Sequence, residues 1–182
     1  MPSRPQYWAR GDAVEIKQVR MLVVIDGSDA SRRAVGYAAR IVGGRRRFWI
    51  RLAQILPPCP PALLEFGGAG RPDTEAQLEA LLATRRKRWI ASAKQRTRPF
   101  LDRARGTLRK AGPVAGRLAA KHLDPFDGGD LVEDILREAR AWRCRTIVVG
   151  RTSLTWLGGL LRGDLAEQLV GRSKGLTVWV VE

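Results

Sequence analysis

Five short apolar, β-rich runs separated by helical patterns constrain this chain more than any other feature. They are residues 19–25, 48–56, 114–120, 146–150 and 176–181. The first, Val19 to Ile25, is almost continuously apolar, which suits a strand of a parallel sheet covered on both faces. The third, 114–120, is only weakly apolar and is expected at a sheet edge, followed by a turn at His122-Leu123-Asp124-Pro125. Helical patterns fill the gaps. After Asp29, Ala34, Val35, Ala38, Ile41 and Val42 share one face, with Ser28 or Asp29 as cap and Gly43-Gly44 as the stop. Behind Gly128-Gly129-Asp130, a stripe of Leu131, Ile135 and Ala139 follows, and Asp130, Glu133 and Asp134 complement the positive helix end. A last helix begins near Asp164, with Leu165, Leu169 and Val170 inward. Strands alternating with helices demand a right-handed, doubly wound parallel sheet. The expected fold is α/β, flavodoxin- or Rossmann-like: a single domain of five strands in the order 3-2-1-4-5.

Ligands on such sheets sit at the carboxyl ends of strands, where the strand order reverses. Two strand ends carry suitable chemistry: Ile25-Asp26-Gly27-Ser28 and Val149-Gly150. The second leads into a loop containing Gly158, Gly159 and Gly163. Glycine lets a backbone approach a phosphate closely, and a helix start presents free N–H groups and a partial positive charge.

One segment departs from the compact pattern. Over residues 74–111, Leu78, Leu82, Trp89, Ala93, Phe100, Ala104 and Leu108 recur at helical spacing. Such a helix would be about 55 Å long. Pro99 removes an internal hydrogen bond and disfavours helix at Arg98, so a kink or break is expected there. Residues 71–110 hold twelve Arg/Lys against four Asp/Glu, a local charge of +8. Trp89 beside Arg85-Arg86-Lys87-Arg88 has the form of a basic–aromatic nucleic-acid patch; the competing reading is a core tryptophan beneath a solvated face.

The 182 residues suffice for one domain with a core, and the formal charge of +15 predicts attraction to anions: nucleotides, nucleic acid, acidic proteins or anionic lipid. The other reading is an arginine-rich surface without a role. Cys59 and Cys144 make no disulfide framework, which fits a reducing, cytoplasmic setting. No run is apolar for the roughly 18 residues of a membrane span. Residues 1–18 read as a basic N-terminal tail without a secretory signal, and 19–182 as the domain. His122, the one histidine, has no partners at metal-ligand spacing.

With both strand-end loops in view, the chain resembles the universal stress protein family. Asp26-Gly27-Ser28 with Ser31 is similar to the family's opening motif. The closing segment is similar to its nucleotide signature of Gly, two residues, Gly, nine residues, Gly, then Ser or Thr. Gly150 and Gly163 match the outer glycines. Ser153 replaces the middle glycine, and Asp164 the terminal hydroxyl residue. The resemblance implies an adenine nucleotide, ATP, ADP or AMP. Asp26 would lie at the ribose and adenine end and Ile55 against the base. Gly150, Arg151, Ser153, Arg162, Gly163, Asp164 and Leu165 would surround the phosphates. A carboxylate at 164 accepts hydrogen bonds and repels phosphate, unless Arg151 and Arg162 offset it or Mg²⁺ bridges it to the phosphates. As an N-cap, the same aspartate needs no ligand to explain it. The resemblance also implies a homodimer through the edge strand, with Thr177, Val178, Trp179 and Val180 pairing with a second copy. No Ser/His/Asp set and no Gly-Lys-Ser/Thr after the loop occurs, so no enzyme beyond a slow ATPase is expected. The alternative is a nucleic-acid or acidic-partner binding protein on the same fold, with no nucleotide bound.

Overall fold

The structure, a computed structural model, describes residues 18–43, 45, 47–64, 72–112, 117–123, 130–151 and 164–182. Among them are five strands: β1 (Val19–Ile25), β2 (Phe48–Ile55), β3 (Leu118–Leu123), β4 (Thr146–Gly150) and β5 (Thr177–Val181). They pair in parallel in the order β3-β2-β1-β4-β5. This is the doubly wound α/β sheet that the alternation of apolar runs predicts. The helices are α1 (Asp29–Val42), α2 (Pro72–Lys110), α3 (Leu131–Ala141) and α4 (Leu165–Arg172), with a 3₁₀ turn at Pro61–Leu63.

The sheet separates two apolar clusters. Met21, Val23 and Ile25 of β1 pack with Ala34, Val35 and Ala38 of α1 and Leu101, Ala104 and Leu108 of α2. Leu22 and Val24 point the other way, among Ile135 and Leu136 of α3 and Leu165 and Leu169 of α4. Both faces of β1 are therefore buried, which is why its sequence does not alternate. Each fully buried Leu, Ile or Val there stabilises the fold by about 1.5–3 kcal/mol.

Local chemistry sets the helix ends. Ser28 is the N-cap of α1, its Oγ accepting from Ser31 N at 3.0 Å. Gly43 ends α1 with φ 39°, and its N–H donates to Ala39 O at 3.0 Å. Asp130 caps α3 by accepting from Val132 N and Glu133 N.

Several expectations need correction. The helix over 72–110 runs through Pro99 without a break. Pro99 is exposed, while Ala93, Thr97, Leu101, Ala104 and Leu108 are buried on both sides of it. Tertiary packing on one face outweighs the lost hydrogen bond. The third strand is β3, Leu118–Leu123, rather than 114–120, of which residues 114–116 lie outside the described part. His122 is thus a half-buried strand residue paired with Gln54 of β2, and it is not in a turn. Val170 faces outward at 56% exposure, and Ala166 takes the inward place assigned to it. Trp89 is half-buried, with exposed Arg85, Lys87 and Arg88 around it. Of the expected basic tail, 1–18, residues 1–17 lie outside the described residues.

Candidate ligand site at the strand ends

The reversal of strand order falls between β1 and β4, which are neighbours. Their register pairs Val23 with Val148, so Gly150 ends β4 level with Ile25, the last residue of β1. On the other side Ile25 pairs with Gln54. Asp26, Ile55 and Gly150 therefore leave the sheet side by side.

Asp26 is half-buried, and its Oδ1 accepts from Ser28 N at 2.9 Å. This turn, with Gly27 at φ 88°, swings the chain into α1. The other carboxylate oxygen has no protein partner among the described residues. Ile55 is 3% exposed and packs with Val24, Leu123 and Val149, so little of its side chain could meet a base.

Gly150 is glycine for a reason that needs no ligand. A Cβ there would lie 2.3 Å from both the carbonyl carbon and oxygen of Ala30, and 2.8 Å from Ser31 N. The first turn of α1 rests directly on the end of β4, and only a residue without a side chain fits beneath it.

Asp164 is the N-cap of α4, its Oδ1 accepting from Ala166 N at 2.9 Å. Its Oδ2 lies 4.0 Å from the Arg151 guanidinium, which also reaches Glu182 at 3.4 Å. Arg151 N donates to Val181 O at 2.8 Å, so this residue ties the mouth of the crevice to the end of β5. Leu165 is 3% exposed in the core, leaving only its backbone for a ligand. Asp26, Ile55, Gly150 and Arg151 thus lie at the ends of β1, β2 and β4, while Asp164 and Leu165 open α4, with Asp164 4.0 Å from Arg151; Ser153, Arg162 and Gly163 lie outside the described residues. Among the described residues no group of three or more His, Cys, Asp or Glu is placed to hold a metal ion.

Other polar features were not legible in the sequence. Asp130, the N-cap of α3, and Glu133 within it both pair with Arg172 of α4. Burial raises the Asp130 pKa, but the Arg172 hydrogen bond and the N–H groups of Glu133 and Val132 outweigh it and hold it below the ordinary value. Arg51 pairs with Glu138 under the α3 side of the sheet. Gln54 is fully buried, its Nε2 donating to Ile25 O at 3.2 Å and Ile55 O at 3.0 Å, while its Oε1 has no protein partner. Burial, then the positive charges of Lys94 and Arg105, lower the His122 pKa and favour a neutral ring.

A parallel sheet ordered 3-2-1-4-5, with an acidic strand-one end facing a glycine-ended strand four, defines a class of α/β domains with a ligand crevice at the switch point. The Universal stress protein family profile matches residues 19–182, and this chain belongs to that family. No curated protein matches the chain. Solved structures of similar fold include a universal stress family protein from Burkholderia pseudomallei, 16% identical, with TM-score 0.58 over 92% of this chain and 97% of that one. A universal stress protein in complex with cAMP is 20% identical, with TM-score 0.57 over 91% and 98%. One from Archaeoglobus fulgidus is 20% identical, with TM-score 0.53 over 90% and 93%. Over the described residues no helix is long and apolar enough to cross a membrane.

Proposed function

We propose that this chain is a stress-response domain that holds an adenine nucleotide at the carboxyl ends of β1 and β4 and works as a homodimer through β5. The observation that carries the nucleotide reading is the convergence of Asp26, Gly150, Arg151 and the first turn of α4 on one crevice. The free oxygen of Asp26 accepts from ribose hydroxyls. The N–H groups of the α4 first turn that the Asp164 cap leaves open and the Arg151 guanidinium receive phosphate oxygens. Asp164 works against this by placing a carboxylate where the phosphates end, and Arg151 partly neutralises it. Mg²⁺ held between Asp164 and the phosphates would remove the remainder, since Mg²⁺ sites often use one or two carboxylates plus phosphate. A domain of this kind signals by occupancy, with at most slow ATP hydrolysis.

The test is calorimetry with ATP, ADP, AMP and cAMP, with and without Mg²⁺. One fold relative is in complex with cAMP, which places it in the panel. Serine caps a helix as well as aspartate does, so Asp164→Ser should preserve α4 while removing the charge. The expected result is tighter ATP binding in Asp164→Ser, by about tenfold in the absence of Mg²⁺, and weaker binding in Asp26→Ala. Equal or weaker binding in Asp164→Ser would end the repulsion argument. No affinity in either protein would end the nucleotide reading.

One observation favours a second reading. The exposed side chains of α2 include Arg85, Lys87, Arg88, Lys94, Arg96 and Arg98, cations spread over two opposite sides of a 39-residue helix. Such a basic helix suits a polyanion backbone, and its binding must weaken steeply with salt. Undetectable affinity for DNA and RNA at low ionic strength would dispose of it.

A further inference from the structure

Between α1 and α2, on the opposite side of the sheet from the Ile55 and Leu165 cluster, lies a cavity of about 350 Å³. Its volume falls within the range of small-molecule sites. Ile25, Val35, Phe100 and Ala104 give it an apolar wall, and Arg32, Arg103 and Lys110 give it three cations. Among the described residues no carboxylate lines it. Arg32 is paired with Asp29, but Arg103 and Lys110 have no acidic partner among the described residues.

The geometry points to a second binding site here, for a small organic oxyanion carrying an apolar body. The oxyanion meets Arg103 and Lys110, and the body lies against Ile25, Val35 and Phe100. Three features beyond the charge support this. The Phe100 ring is fixed as a wall: it presses against Gly27, where an added Cβ would lie 2.9 Å from two ring carbons. The Arg103 guanidinium stands 5.1 Å above the same ring, so the cation is held beside the apolar wall rather than left to wander. Finally, Gly106 lines the cavity in the interior of α2, and a Cβ added to it would meet nothing within 4 Å. Glycine there weakens the helix relative to alanine, and no neighbouring atom requires it. What its missing side chain leaves is room in the cavity. Phe100, Arg103, Thr107 and Lys110 follow one another at three- and four-residue spacing, so one face of α2 presents them together.

This site adjoins the strand-end crevice at the Ile25–Gly27 turn but shares neither Gly150, Arg151 nor Asp164 with it, and its test separates the two. Calorimetric titrations would use 2-naphthoate and 1-naphthyl phosphate as probes, with neutral 2-naphthalenemethanol and inorganic phosphate as controls for the body alone and the head alone. At least one anionic probe should bind the full chain saturably, with each control weaker by about tenfold or more. The preferred head, carboxylate or phosphate ester, distinguishes the two sources of the oxyanion. Arg103→Gln and Lys110→Gln should each weaken the probe by about tenfold. Gly106→Leu should abolish binding while circular dichroism stays helical, and Asp164→Ser, which alters the strand-end crevice but no residue lining this cavity, should leave it unchanged. Three results overturn the proposal: no saturable binding of either anion, equal affinity for the neutral alcohol, or a change of probe affinity in Asp164→Ser. Lys110 is exposed, so Lys110→Gln keeps the test decisive if Gly106→Leu does not fold.

Discussion

Gly150 shows how a single position can carry two meanings. Its place at the head of a nucleotide-type signature suggests close approach of a phosphate, yet the contact present is with the backbone of Ala30. Gly150→Ala should destabilise the fold by about 3 kcal/mol, measured by urea unfolding, with or without nucleotide. A loss that appears only in the nucleotide-bound protein would refute the packing explanation. The sequence could place Gly150 at a strand end but not reveal what lay over it, because that contact joins residues 120 apart. Cys144, between Arg143 and Arg145, reads in the sequence as a packed, inert thiol rather than an activated one, and the structure agrees: it is 3% exposed, and burial pushes its pKa from 9.0 up to about 12. The nearby charges of Arg51, Glu138 and Arg20 are lesser influences. Cys144 in the native protein should therefore resist a thiol-specific disulfide reagent at pH 8 and react on unfolding. The raised pKa also sets a sign. Below pH 9 the thiol is neutral in both states and costs nothing. Between pH 9 and about 12 only the unfolded chain ionises, so stability falls as pH rises through that window. A Cys144→Ala variant should lose less stability there than the parent. Native reaction at pH 8 as fast as in denaturant would contradict the buried thiol.

At the scale of elements, α2 gives the clearest contrast between what a sequence states and what packing decides. Its apolar stripe predicts its extent to within a residue or two, and the intrinsic rule for proline predicts a kink or break, of which the break is absent. The rule concerns an isolated helix. Here Leu101, Ala104 and Leu108 anchor one side of Pro99 in the core, and Ala93 and Thr97 are buried on the other. Because Pro99 is exposed and its conformation is imposed from outside, Pro99→Ala should raise stability by roughly 1–3 kcal/mol, read as a higher thermal midpoint. An unchanged or lower midpoint would mean that proline fits this helix without strain. β3 was misplaced for a related reason. Its sequence, Leu-Ala-Ala-Lys-His-Leu, has weak β preference, and pairing with β2 from Ile50 to Ile55 is what makes it a strand. The cavity face of α2 was hidden too. Phe100 and Ala104 read as plain core residues, and Arg103 and Lys110 as members of a long basic run; only the opposing wall of α1 makes them one surface.

At the scale of the molecule, the strand order was legible in full because alternation and handedness leave few alternatives. Assembly is where the sequence and one subunit stop. β5 forms one edge of the sheet, and no strand among the described residues covers its outer side. Val178, Trp179 and Val180 are half-exposed there, with Trp179 edge-on to Tyr37 at 5.8 Å. An apolar edge of this kind calls for a partner. Sedimentation should show a dimer that Val180→Glu converts to monomer with the far-ultraviolet spectrum retained. A monomeric parent at micromolar concentration would exclude assembly through β5.

Arg151 gives these two proposals a common thermodynamic footing. Its guanidinium is shared between Asp164 at the crevice and Glu182 just beyond β5, while its own N–H is fixed to Val181. An anion that recruits this guanidinium takes it from Glu182, and a second subunit that rearranges Glu182 alters what Arg151 can offer the anion. By reciprocity, the factor by which nucleotide changes the dimerisation constant must equal the factor by which dimerisation changes nucleotide affinity. The exchange involves exposed, solvent-screened groups, so that factor is small, and replacing Arg151 with glutamine would bring it to unity.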